Sequence, residues 1–366
     1  MGIDKRITRE IQTQWPILTP SAAKGALREH CVAQIADPAG KDREWVNKTD
    51  PCIDAIFGPP DTSQSSVAHQ GALQVGGGHI LAFPVASRRG VFAWVTCPMV
   101  FDKLRTQLSP FDTPSGEKKC PVPLVRNFSS VGKNHFFCMD GASILSNTKD
   151  LGGAEIGRFQ FERSPMAKIG FDSVFNWFEA NVVHPFADRK AFENRLALVS
   201  DDHFTNFVKH YVEVTTHNKL NYATKTVEDG KLFTYEWLPA ETIIYTTLTC
   251  DVLRSPADVE NRGQKDSRSS KCNLLTNGRS VLESVQKWID SASCVMQVGA
   301  SESKNHGKFL VKWQELTKLE PTSKNDKSDK STTTGPRVES QTKTTSINPA
   351  MSQVKKQSGP KHNRQL

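Results

Sequence analysis

An α+β fold is predicted for this 366-residue chain by three stretches. Gly76 to Arg105 reads as strand, tight basic turn, strand and helix. His79 to Val85 and Val91 to Val95 are apolar runs too short for helices and rich in β-branched and aromatic residues. Ser87, Arg88, Arg89 and Gly90 break them. Thr96 is a candidate cap for the next helix, Pro98 suits its first turn, and Met99, Val100, Leu104 and Leu108 give it an apolar face. The second stretch is a helix from about Ser21, with Ser21 as N-cap and Ala26, Leu27 and Val32 toward a core. The third runs from residue 213 to 248 and alternates polar with β-branched residues on either side of Glu228-Asp229-Gly230. Its Asp-Gly step predicts a hairpin turn there, within a thumb-like ribbon over about 212–242.

Composition bounds the function. A 37% hydrophobic chain of this length can bury a sizeable core. A net charge of +8 favours a nucleic acid or another acidic partner. The eight cysteines contain no CxxC pair, which argues against a zinc ribbon or a redox motif and for reduced thiols in a cytoplasmic protein. No export signal or membrane-length apolar run is present. The GASESKNHG loop lacks the spacings of nucleotide-binding loops.

The remaining elements follow in order. Residues 36 to 75, rich in Pro, Gly, Asp and Ser, read as a long loop, and 109 to 155 as irregular. A strand is predicted over Arg158 to Glu162, a helix over Phe171 to Val183, and a strand over Leu196 to Val199. A helix from about His203 to His210 follows Ser200, Asp201 and Asp202, whose adjacent carboxylates suit N-capping better than a metal site. A buried strand over Ile243 to Leu248 and a charged loop over 252–275 come next. A helix over Val281 to Ile289 and strands over Cys294 to Val298 and Phe309 to Trp313 complete a domain over residues 1–318. Residues 319–366 read as a disordered basic tail.

Several cations are candidate phosphate ligands. Arg88 and Arg89 sit in a Gly-closed turn that can present them to a polyanion; the alternative is a solvated hairpin tip. Lys24 and Arg28, four apart on a helix with small residues in its first turn, suit a backbone phosphate; the alternative is two solvated cations on an amphipathic helix.

FPVASRRGVFAWVTCP closely resembles the signature FPVRS-x-x-G-x-FAWVTCP of the backbone subunit of type III-B (Cmr) CRISPR effector complexes, within the RAMP superfamily of RNA-binding proteins. Four further stretches resemble the family in its own order. They are ITREIQTQWPILTPSAAKGALRE, FGPPDTSQSSVAHQGAL, the segment from NRLALVSDDHF to EWLPAET, and VMQVGASESKNHGKF. The resemblance implies a ferredoxin-like (RRM-related) palm with long insertions and a β-hairpin thumb, stacked in copies along a guide (CRISPR) RNA. It implies further subunits of the complex, a complementary single-stranded target RNA, and no membrane partner.

The resemblance also implies cleavage of the target at regular intervals, by metal-dependent attack of a ribose 2′-OH that leaves a cyclic phosphate and a 5′-OH. The divalent metal would be magnesium or manganese. Asp4 matches the family's acid and is the catalytic and metal-binding candidate; Glu236 is the second catalytic candidate. Arg6, Arg9, Ser21, Lys24, Arg28, Ser87, Arg88, Arg89, His217 and Lys219 are the implied RNA contacts. The chain departs from the pattern at Ala86, Gly299-Ala300, Pro20-Ser21-Ala22 and His217 to Lys219. It also begins three residues ahead of Asp4, where relatives carry a first strand and a His/Gly-rich turn. A subunit that binds guide and target without cutting is therefore the alternative. A guide-processing nuclease is a remoter one.

Overall fold

The computed structural model describes residues 3–60, 69–111, 122–125, 134–146, 152–164, 171–182, 188–250, 278–291, 295–299 and 306–314. The chain divides into Met1–Lys318 and Leu319–Leu366; the second unit, where the basic tail is expected, lies outside the described residues, as does the expected loop over 252–275.

The α+β class is observed. The N-terminal part runs β1 (Ile17–Leu18), α1 (Pro20–Ala36), α2 (Arg43–Thr49), α3 (Pro51–Phe57), β2 (Leu73–Val75), β3 (Gly78–Ala86), β4 (Phe92–Thr96) and α4 (Pro98–Leu108). The middle adds β5 (His135–Phe136), β6 (Gly153–Ile156), β7 (Phe159–Arg163), α5 (Phe171–Asn181), α6 (Arg189–Glu193), β8 (Leu196–Leu198) and α7 (Asp201–His210). The hairpin β9 (Glu213–Leu220) and β10 (Val227–Trp237) leads to β11 (Ile243–Tyr245) and β12 (Leu248–Cys250), then α8 (Gly278–Ser291), β13 (Val295–Gln297) and β14 (Lys308–Leu310).

Strand β3 is the hub. Its first half pairs antiparallel with β1 and β11, its second half with β4, and β4 continues parallel to β8. The near-continuous apolar runs of β3 and β4 pack this sheet against α4, α5 and α7, with Phe83, Phe101, Phe175, Phe178, Phe204 and Phe207 at most 2% exposed. A second core gathers Leu27, Cys31 and Val32 of α1 with Val46, Ile53 and Ile56 of α2 and α3 and Val281, Val285 and Ile289 of α8.

Four expectations are corrected. The loop expected over residues 36 to 75 contains two helices, because Asp42 and Asp50 cap them through the Trp45, Cys52 and Ile53 amides, Pro51 occupies a first-turn position, and the apolar residues between enter the second core. Helix α1 starts one residue earlier than expected, capped by Thr19 rather than Ser21. Helix α7 starts at Asp201, with Ser200 accepting from the His203 amide. Thr96 does not cap α4: its buried hydroxyl donates to the Leu81 carbonyl at 2.9 Å, and the Met99 amide donates instead to Asp201, after the neighbouring strand β8, at 2.9 Å. The first residue of α7 thus serves a different helix.

The thumb turn is displaced as well. It closes at Asn221–Thr226, where Asn221 donates to the Thr226 carbonyl at 2.8 Å and Lys225 takes φ 58°. Glu228 to Lys231 form an irregularity between the pairs Val227↔Leu220 and Leu232↔Asn218, with Gly230 at φ 70°. The Asp-Gly step marks a bulge inside β10 rather than the turn, because an Asn side chain that accepts from the Ala223 and Thr224 amides makes the better reversal.

Candidate functional site

The expected residues fall into three groups: at the thumb root on the separate β9–β10 ribbon, at the turn between β3 and β4, and at the start of α1. The first is at the thumb root. Residues 3–7 run beside β10: the Asp4 and Lys5 amides both donate to the Thr234 carbonyl, at 2.9 and 3.2 Å, and the Glu236 amide donates to the Lys5 carbonyl at 2.9 Å. The Asp4 carboxylate accepts from the Thr234 amide through Oδ2 at 2.7 Å. The Lys5 ammonium lies 5.1 Å from the Tyr235 ring centroid, and the His217 ring lies 5.1 Å from the same ring. Asp4, Lys5 and Arg6 are exposed. Two acids distant in sequence, Asp4 and Glu236, are therefore brought to adjoining positions.

Their electrostatics differ. Glu236 is 11% exposed and inward-committed: Oε2 accepts from the Ile7 amide at 3.1 Å and lies 3.8 Å from the Arg9 guanidinium. Arg9 also donates to the Gln14 and Val208 carbonyls, both at 3.1 Å. Both residues anchor the N-terminal segment. Lys219 pairs with Glu228 at 2.9 Å across the ribbon.

The second group is the basic turn, which links β3 to β4 and is docked on β6. The Ser87 hydroxyl and the Arg88 amide donate to the Glu155 carbonyl at 3.1 and 3.0 Å. Arg88 reaches the Glu155 carboxylate at 3.2 Å but remains 77% exposed, and Arg89 is exposed.

The third group is the start of α1. Ser21 is exposed and lies 3.2 Å from the Thr19 hydroxyl. Lys24 is half-buried, and burial together with the neighbouring Arg28 charge pulls its ammonium below the usual range. Arg28, expected at a phosphate, is turned inward: it donates to Asn47 Oδ1 at 2.6 Å, to the Asn47 carbonyl at 3.2 Å and to the Gly58 carbonyl at 2.7 Å. It braces α1 to α2 and the end of α3. Nothing lies within 4 Å of a Cβ built on exposed Gly25. Gly25→Ala is accordingly expected to stabilise the fold by about 0.5–1 kcal/mol in urea denaturation.

The model of the RAMP superfamily matches residues 2–309. The chain belongs to the RAMP superfamily. This RAMP chain is 26% identical over 248 residues, 67% of its length and 73% of the relative's, to the CRISPR system Cmr endoribonuclease Cmr4 of Pyrococcus furiosus. Its fold resembles that of oligomeric Cmr4 from Pyrococcus furiosus, with a TM-score of 0.51 and 21% identity over 84% of this chain and 89% of the other. It also resembles a chain of the type III-B Cmr-beta complex bound to cognate target RNA, with a TM-score of 0.51 and 15% identity over 84% and 87% of the two chains. A chain of the same complex in its apo state gives a TM-score of 0.53 at 14% identity over 87% and 91%. The resemblance to Cmr backbone subunits read from the sequence motifs is borne out. No helix among the described residues is long and apolar enough to cross a membrane.

The RAMP domain also holds an ionic knot that the sequence reading missed. Glu10, 14% exposed, accepts from Lys103, from His79 at 2.9 Å and from Thr13 at 2.6 Å. The Lys103 ammonium lies 4.7 Å from the Trp15 ring centroid. Burial pushes the Glu10 carboxyl up, but the bonds from Lys103, Thr13 and His79 outweigh it and hold it below the ordinary 4.5. A depressed carboxylate contributes stability that is complete above the unfolded value and lost as pH falls through the folded one. Wild type should therefore lose stability below about pH 4.5 more steeply than Glu10→Gln, in urea melts taken from pH 7 to pH 3. In sequence Glu10 belongs to the ITREIQTQW stretch that carries the family resemblance, but nothing there gives its buried partners Lys103 and His79.

Proposed function

We propose that this chain is an RNA-binding backbone subunit of a type III-B Cmr-like complex that cleaves a target RNA complementary to its bound guide. The observation that carries the reading is the thumb root, where the N-terminal segment is hydrogen-bonded to β10 so that exposed Asp4 and Lys5 lie beside the half-buried rings of Tyr235 and His217. The kinship with a Cmr endoribonuclease supports it. Copies of this chain, other Cmr subunits, guide RNA and target RNA are the partners the reading requires. The basic turn and the start of α1 would hold phosphates of the guide, through Arg88, Arg89 and Lys24.

In the cleavage step the 2′-oxygen of the target attacks the adjoining phosphorus, and the bond to the 5′-oxygen of the next nucleotide breaks. Asp4 would accept the hydroxyl proton through the carboxylate oxygen that Thr234 leaves unused. Lys5 and Arg6 would offset charge on the phosphoryl oxygens, and His217 would donate a proton to the leaving oxygen. The residues fit a magnesium or manganese ion in a limited way. Among the described residues no cluster of three or more His, Cys, Asp or Glu is suited to a metal, but one free carboxylate oxygen with substrate phosphates is the arrangement such ions accept. That oxygen serves either as the base or as the ion's ligand; as ligand, Asp4 would hold the ion, which would supply Lewis-acid stabilisation of the phosphoryl group.

The inward commitment of Glu236 favours a second reading, a subunit that binds RNA without cutting. Assembly with guide and neighbouring subunits, followed by labelled complementary RNA with and without magnesium or manganese, separates the two. Evenly spaced, metal-dependent cuts support the nuclease. Bound but intact target supports the scaffold.

A further inference from the structure

The basic turn contains a strained backbone conformation at an exposed position. Val91 has φ 73°, a region β-branched residues rarely enter. The Phe92 amide donates to the Gly90 carbonyl at 2.9 Å, closing a three-residue turn around Val91. A γ-turn with positive φ at its centre is a strained form. Burial does not offset that strain, since the Val91 side chain is 76% exposed.

The surroundings fix this geometry. The Ser87 amide donates to the Val91 carbonyl at 3.0 Å, and Ser87 and Arg88 are hydrogen-bonded to Glu155. Gly90, at φ 71°, packs so closely on the next segment that a Cβ there would lie 2.8 Å from Ser143 Oγ and 3.2 Å from Ile144 Cγ2. A turn held from both sides, with a strained and exposed apolar tip, has the character of a preorganised ligand clamp. The residues beside it settle the ligand's chemistry. Arg88 and Arg89 are exposed, and among the described residues Arg89 has no ionic partner.

We propose that Val91 is an RNA-contact residue, projecting its isopropyl group against the ribose or base face of a nucleotide whose flanking phosphates are held by Arg88 and Arg89. The proposal rests on the RNA-binding reading above and adds a non-electrostatic contact to it. Phosphate contacts alone carry no such apolar component.

The proposal makes opposite predictions for stability and for binding. Val91→Gly relieves the strain, so the full-length protein should melt about 2 °C higher. The same variant should bind a single-stranded RNA 30-mer roughly fivefold more weakly at fixed salt, for loss of a partly buried valine contact. Its slope of log affinity against log salt should match wild type, because no phosphate contact is lost. Arg88→Ala and Arg89→Ala should instead lower that slope by about 0.7 each.

Wild-type binding with unchanged affinity in Val91→Gly would overturn the proposal and leave the RNA-binding reading standing. A shallower salt slope in Val91→Gly would overturn it too, since the variant would then have disturbed the arginines. Loss of self-association with RNA affinity intact would assign the tip to a neighbouring copy instead. Absence of RNA binding in wild type under conditions where the protein is folded would remove the reading beneath it.

Discussion

Asp4→Asn is expected to leave the subunit folded and loaded with guide and target while target cleavage falls by at least about 100-fold. The two isosteric side chains differ in charge and basicity, not in reach. The asparagine carbonyl can still accept from the Thr234 amide, the bond that Asp4 makes at 2.7 Å. The bonds from the Asp4 and Lys5 amides to the Thr234 carbonyl and from the Glu236 amide to the Lys5 carbonyl run through backbone atoms and do not depend on residue 4's side chain. Stability should therefore stay within about 0.5 kcal/mol of wild type. What is lost is a carboxylate able to accept the 2′-OH proton and to hold a divalent ion. Asp4→Ala is the informative companion. It also removes the acceptor for Thr234, so it should cost about 1 kcal/mol of stability on top of the same loss of cutting. Single-turnover cleavage and electrophoretic binding on the same assembled complex provide the check. Full cutting by Asp4→Asn would remove Asp4 from the chemistry and would leave the thumb root as an RNA surface.

The sequence made the hub of the fold legible and its details less so. The run through β3, β4 and α4 could be read because two short apolar runs rich in β-branched and aromatic residues, split by a basic turn, give way to a helical apolar spacing, and the sheet confirms both strands. The helices α2 and α3 were hidden by Pro, Gly and Asp residues that usually punctuate loops. Asp42, Asp50 and Pro51 are helix-start residues whose role depends on the apolar residues that follow them. The thumb turn was misplaced because Asp229-Gly230 satisfies local hairpin chemistry, whereas the cross-strand register of Phe233 with His217 fixes the reversal elsewhere. The site shows a similar division. Resemblance pointed to Asp4 and Glu236, but not to their opposite circumstances, one exposed and one tied to Ile7 and Arg9. Arg28 illustrates the general difficulty. A cation near a helix start reads as a phosphate ligand until a distant carbonyl, here that of Gly58, is found to occupy it.

That same contact leads to the largest stability effect expected in this domain. Gly71→Ala should destabilise the fold by at least about 4 kcal/mol, because the added methyl has no place to go. A Cβ built on Gly71 would lie 2.3 Å from the Phe57 carbonyl carbon, 2.4 Å from the Gly58 nitrogen and 2.5 Å from the Ile56 oxygen. All three are backbone atoms at the end of α3, so relief requires the helix end to move away from the segment leading into β2. That movement would strain the bond from the Ala72 amide to the Ala55 carbonyl at 3.0 Å and displace the Gly58 carbonyl that Arg28 holds at 2.7 Å. Gly58 itself has φ 87° and faces Gly71 so closely that a Cβ there would lie 3.1 Å from the Gly71 nitrogen. The two glycines of the FG…GAL pattern are thus one contact, a backbone-to-backbone approach between α3 and β2 that seals the second core. Urea denaturation of Gly71→Ala beside Gly25→Ala tests this with a single chemical change at two glycines. The first should fall sharply and the second rise slightly. Equal, small effects at both positions would mean that α3 and β2 do not pack at this distance, and the inward role given to Arg28 would fall with that contact.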